Sequence, residues 1–138
     1  MCLDLNESSA KDKRNFRRRK NPIKAYKILE IEDNLCLSPY QNTVFLEKMT
    51  SNREEENPCK LTNKEIKDRE VHKGLHFYMN IEDAQNKKDK LNLVDFIRNY
   101  YCVYEVEIQP KDVVAVGTFD SKLSIVANKT KIIKRINK

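Results

Sequence analysis

The residues best suited to chemistry in this chain form one short basic run. Arg14, Arg17, Arg18, Arg19 and Lys20 surround Phe16 within RNFRRRK. Guanidinium and ammonium groups pair with phosphate oxygens, and a ring among them can stack on a base, so this combination points to a nucleic acid or nucleoprotein partner. The same cations would also suit an acidic protein groove, or serve as a solubilising tail.

Other constellations are sparser. Glu105 and Glu107 are separated by one residue in CVYEVEI, and the period of two in a strand puts both carboxylates on one face. ADP-ribosyltransferases use such a pair, which makes a small modifying enzyme with His76 in the cleft the rival reading. The Ser-Thr-Ser strand of those enzymes is missing, and a solvated sheet face accounts for the same spacing. Cys2 would carry a thiol beside a free amine if the initiator Met were removed, a pairing of nucleophile and base. His76 could assist it only if the N-terminal segment folded back. Cys59, His72 and His76 have the spacing of half a zinc finger, but the nearest upstream cysteine, Cys36, lies 22 intervening residues away. A four-ligand zinc site is therefore not expected. Gly74 and Gly117 are the only glycines, which excludes a glycine-rich phosphate loop, and no cofactor is expected. Tyr26, Tyr40, His76 and Tyr78 could line a pocket that sequesters a small ligand.

Charge is unevenly placed. Residues 1–24 hold eight basic and three acidic residues, so they carry +5 of the chain's net +6. The other 114 residues are nearly neutral. Residues 1–22 show neither helical nor strand periodicity and end in Asn21-Pro22, which predicts a flexible basic arm ahead of one domain over 23–138. At 138 residues the chain can bury a core without staples, and its four scattered cysteines read as thiols. No stretch approaches the ~20 apolar residues that span a bilayer, and charges stand where a signal peptide needs an apolar core, so a cytoplasmic protein with no membrane partner is expected.

The elements that must position these residues are legible in the pattern. IKAYKILEIED from Ile23 reads as a central strand, since Ala25, Lys27 and Leu29 alternate with Tyr26 and Ile28 and both sets are partly apolar. Ser38-Pro39-Tyr40-Gln41 predicts a turn, TVFLEKM a short strand and residues 50–60 an exposed loop. Thr62-Asn63-Lys64-Glu65 has the form of a capping box opening a short helix. VHKGLHFYM reads as a strand interrupted at Gly74. Apolar residues at 81, 84, 91, 94, 97 and 101 predict one long helix, or two. In CVYEVEI the face of Cys102, Tyr104, Val106 and Ile108 should be buried. A turn at Gln109-Pro110-Lys111-Asp112, the strand VVAVGTF, and one or two strands in LSIVANKTKIIKRI complete the chain. The order predicts an α+β domain, an antiparallel-rich twisted sheet with one long and one short helix packed on one side.

Met1-Cys2, Ala25-Tyr26-Lys27, Ser38-Pro39-Tyr40-Gln41, Gly74-Leu75-His76-Phe77 and Asp83-Ala84 occur in this order. Together they resemble a family of small uncharacterised proteins associated with bacteriophages. Residues 50–70 and the long basic segment stand outside that pattern. The resemblance implies a compact α+β fold in a viral setting and no particular reaction. With the basic run, this setting leads to the expectation of a phage-type accessory protein that binds a host nucleic acid or nucleoprotein, as a counter-defence inhibitor would.

Overall fold

The structure, a computed structural model, describes residues 3–32, 35–37, 44–46, 52–54, 60–94 and 100–136. Its elements in chain order begin with β1 (Leu3–Asp4), α1 (Ser9–Arg17), β2 (Ile23–Glu32), β3 (Leu35–Leu37), β4 (Val44–Leu46) and β5 (Asn52–Glu54). They continue with α2 (Asn63–Asp68), β6 (Glu70–Val71), β7 (Leu75–Tyr78), α3 (Ile81–Val94), β8 (Tyr100–Ile108), β9 (Val113–Phe119), β10 (Lys122–Ala127) and β11 (Lys129–Ile136). Among the described residues every strand ladder is antiparallel, in the order β5-β11-β8-β2-β7-β10-β9-β1-β6, with β3 and β4 extending from β2. The α+β class expected from the pattern is the one observed.

The register sorts side chains onto two faces, because partners across a ladder point the same way and neighbours along a strand point opposite ways. Ile23, Ala25 and Leu29 of β2 share a face with Cys102, Tyr104, Val106 and Ile108 of β8, as the alternation predicted, and with Leu75, Phe77 and Ile125. A bulge between Val126 and Ala127 brings Val113 to this main core beside Val116. On the opposite face, Ile28, Tyr78, Tyr101 and Val103 pack under Ala84 of α3. Beside them Val114, Ala115 and Val126 form a third cluster with Leu3 and Val71.

The N-terminal segment departs most from expectation. Residues 3–17 are not an arm outside the domain: they form β1 and α1, and both enter the core. Leu3 is fully buried in the cluster on one face, and Phe16, 8% exposed, joins the main core on the other. The segment therefore wraps the edge of β9, with α1 packed on β9 and the Pro110–Asp112 turn. Gly117 permits this wrap, since a Cβ there would run into the Asp4 carbonyl oxygen and crowd Leu3. Helix α1 is opened by reciprocal contacts in which the Asn6 N–H donates to Ser9 Oγ (2.8 Å) and the Ser8 N–H to Asn6 Oδ1 (2.9 Å). This satisfies donors that a helix start otherwise leaves open. The expected pair of helices is thus joined by a third, lying across the sheet from α3.

Three further boundaries moved. Residues 52–54 are strand β5, paired with β11, where a loop was expected. Helix α3 is described over Ile81–Val94, and Tyr101, read as part of the helical stripe, belongs to β8. His72 to Gly74 turn the chain between two separate strands, with Gly74 at φ 84°. The Thr62 capping box is formed as predicted, with Glu65 N–H donating to Thr62 Oγ1 and Thr62 N–H to the Glu65 carboxylate. The Ser38 to Gln41 turn lies outside the described residues.

If Phe16 is a core residue, Phe16→Ala should cost about 3–5 kcal/mol in urea unfolding, whereas Arg18→Ala on the outer side of α1 should change stability by less than about 0.5 kcal/mol. A neutral Phe16→Ala would return the segment to an arm.

Candidate functional site

Helix α1 presents two cationic surfaces because only one narrow stripe of it is buried. Ser9 and Phe16 face the core, which by helical spacing leaves Lys11, Arg14 and Arg18 along an outer ridge. Arg18, Arg19 and Lys20 are exposed at the end of the helix. Among the described ion pairs, none involves Lys11, Arg14, Arg18 or Lys20. Two of the expected binding residues are engaged inside the protein. Arg17 Nη1 donates to the Val113 carbonyl at 2.7 Å, and the Arg19 guanidinium lies 4.3 Å over the centre of the Phe16 ring. Phe16 itself is buried, so it does not offer a face for stacking on a base; this corrects the reading of the basic run.

The second cationic surface is the wall of a cavity of about 480 Å³ between α1 and α2. The β9 strand borders it at Ala115 and Val116, whose side chains are themselves buried, and Leu5, Leu61 and Ile66 add apolar walls. Lys13, Arg14, Arg17 and Arg69 face it against one acidic residue, Glu7. Burial, with the Arg17 charge adding to it, lowers the Lys13 pKa from its ordinary value. Arg69 closes α2 in a left-handed conformation (φ 58°), and its carbonyl accepts from the Leu5 N–H at 2.9 Å, which ties the two walls together. The sequence pattern does not reveal this cavity, since its walls come from α1, α2, β9 and the segments that connect them, and of these only the basic residues of α1 carry a local signal.

The candidate carboxylates are not in a cleft. Register places Lys24 and Lys131 on either side of Glu107, and Lys134 beside Glu105. Lys24 Nζ also reaches Glu105 at 3.6 Å. Opposite charges on three adjacent strands form a cross-strand ladder, in which the Glu105 side chain is only 12% exposed beside a largely exposed Lys24. His76 does not approach it. The His76 ring is 1% exposed, and its Nε2 lies 3.1 Å from the Lys73 carbonyl and 3.3 Å from that of His72. Because both partners are acceptors, Nε2 carries the hydrogen and Nδ1 is the lone-pair nitrogen, buried without a hydrogen-bond partner.

His72 points elsewhere, exposed and paired with Glu70 at 3.3 Å, so the two histidines do not converge on a metal. Among the described residues no group of three or more His, Cys, Asp or Glu could hold one. Cys2, Tyr40 and Cys59 lie outside the described residues. Tyr26 and Tyr78 face each other across β2 and β7, and Tyr78 makes an edge-on contact with Phe119 at 6.1 Å. With Tyr26 packed against the same cluster under α3, these rings serve packing, and the cavity contains neither them nor His76.

One ionisable residue, read from the sequence only as part of the β2 alternation, is buried. Lys27 alternates with Ala25 and Leu29 and so points into the main core, where its Nζ donates to the His76 carbonyl at 2.8 Å and sits 5.6 Å from the centre of the Phe77 ring. Burial pushes its pKa down to about 7. His76 is held at about 4 by burial and then by the Lys27 charge. Both groups are thus disfavoured in their charged forms by the fold. The alternation of β2 was the available signal, since a lysine between two buried positions must be buried with them.

For each group the unfolded chain binds a proton that the folded chain refuses, so stability rises with pH between the two pKa values. The windows are about pH 4 to 6.5 for His76 and about pH 7 to 10.5 for Lys27. In Lys27→Met the rise across the upper window, on the order of 1 kcal/mol per pH unit at its steepest, should flatten in urea unfolding at successive pH values. A slope unchanged by the substitution would show that Lys27 ionises freely in the fold.

Comparison with protein-family models, with curated proteins and with solved structures finds no match to this chain.

Proposed function

We propose that this protein binds nucleic acid along its phosphate backbone, using the outer ridge of α1 as a fixed cationic strip. The observation that carries the reading is the concentration of +5 on residues 1–24, most of its cations lying on or directly after α1, whose opposite side is anchored in the core. Lys11 and Arg18 are seven residues apart, about 10 Å along a helix. A duplex strand carries one phosphate per ~3.4 Å of its axis, so a strip of this length spans about three of them. With Phe16 buried, the surface lacks the stacking ring that single-strand binders use, which favours contact with a duplex backbone independent of sequence. The sequence resemblance would make the partner a host nucleic acid or nucleoprotein, bound by a phage-type accessory protein.

Removing the whole segment would also remove Leu3 and Phe16 from the core, so point substitutions are needed to isolate its charge. The affinity for a short duplex, measured by fluorescence anisotropy over a range of KCl concentrations, should fall steeply with salt. Each of Lys11→Ala, Arg14→Ala and Arg18→Ala should lower the log-log slope by about 0.9 if it removes one phosphate contact. Slopes identical to that of the unaltered protein would exclude this ridge as the binding surface.

A further inference from the structure

The cavity between α1 and α2 shares Arg14 with the backbone-binding ridge but adds an apolar lining that the ridge lacks. We infer that it is a binding site for a small amphipathic anion, whose apolar chain lies on Leu5, Leu61 and Ile66 and whose anionic head is held by the cations of the lining, Lys13, Arg14 and Arg69. This reading does not rest on nucleic-acid binding.

Three observations converge on it. The cavity, about 480 Å³, falls within the range of ~300–1,000 Å³ typical of small-ligand sites. Its lining is mixed, with the aliphatic side chains Leu5, Leu61 and Ile66 beside cations along α1 and at Arg69. Ile66 remains 53% exposed at this wall although α2 turns no residue into the core. An exposed isoleucine on a short capped helix, beside an apolar hollow, gains burial only when something occupies that hollow. Charge selects the occupant. Four basic residues face the cavity against Glu7, so a ligand that offered only apolar surface would leave these cations without a counter-charge. A long polyanion could not place phosphates on the aliphatic side chains without losing their hydration. A single anionic group on an alkyl or aryl body satisfies both.

The test uses the full chain and sodium decanoate below its micellar concentration, with affinity measured by isothermal titration calorimetry. Decanoate should bind one molecule per chain, at least tenfold more tightly than decanol. Octanoate should bind about fifteenfold more weakly than decanoate, following the roughly fourfold contribution of each buried methylene. Ile66→Asp, which places a like charge at the apolar wall, and Arg14→Gln, which removes one cation, should each weaken decanoate by about tenfold or more. Leu93→Asp, at an apolar position 78% exposed on α3, should leave it unchanged. Equal binding of decanol and decanoate would overturn the proposal by removing the role of charge. Equal weakening by Leu93→Asp would overturn it by showing dispersed surfactant binding. If decanoate fails to bind while an acidic peptide with alternating Leu and Asp does, the groove belongs to a peptide partner and the small-ligand assignment is wrong.

Discussion

The burial of Phe16 is the constraint on which the functional surfaces depend. Helix α1 is short, and apart from Ala10 and Phe16 it consists of polar and charged residues, so intrinsic helical preference alone would leave it marginal in water. One ring placed in the main core, with Leu3 placed in the cluster on the other face, converts it into a fixed element. The two anchors act together because they grip opposite sides of the β9 edge, and the Gly117 backbone is bare enough to let β1 cross there. Every cation from Lys11 to Lys20 then takes its position from this grip. The ridge faces solvent because Phe16 faces inward, and the flank of Lys13, Arg14 and Arg17 overlooks the cavity for the same reason.

A second electrostatic decision is made inside the sheet. The fold sets basic residues at the surface of α1 and disfavours the charged forms of two buried basic groups, Lys27 and His76. Their linkage has a structural use. Strands β2 and β7 share one ladder pair, Tyr26 with Tyr78, so their seam has few backbone hydrogen bonds. The Lys27 amine crosses that seam to the His76 carbonyl and supplies a bond that the ladder does not. A neutral amine can do this at lower desolvation cost than an ammonium, which is consistent with the lowered pKa.

Most of the sheet was legible in the sequence because its signal is local. Alternation in residues 102–108 gave the buried face of β8, and Thr62 with Glu65 gave the start of α2, since both patterns depend on residues a few positions apart. What failed depended on distant partners. The periodicity of α1 is carried by a single large apolar residue, too little to register as a stripe, and the Asn6 to Ser9 contacts that open it look like ordinary loop composition. Tyr101 fits the helical spacing of α3 as well as the alternation of β8, and the sheet decided between them. For the candidate site, the basic residues were found but their division was not. Which cation faces the ridge, which the cavity, and which the Phe16 ring depends on the docking angle of α1, which no local pattern encodes.

Both cationic surfaces require that residues 9–17 be held by the fold, and native-state amide hydrogen exchange reads this directly. Within α1 the Asp12 amide donates to the Ser8 carbonyl at 2.9 Å, and at its end the Arg18 amide donates to that of Arg14 at 3.1 Å. These amides and those between them should exchange orders of magnitude more slowly than an unstructured chain, and Phe16→Ala should abolish the protection while the amides of β8 and β10 stay protected. Exchange of residues 12–18 at unstructured rates in the unaltered protein would contradict the docked helix, and with it both cationic surfaces.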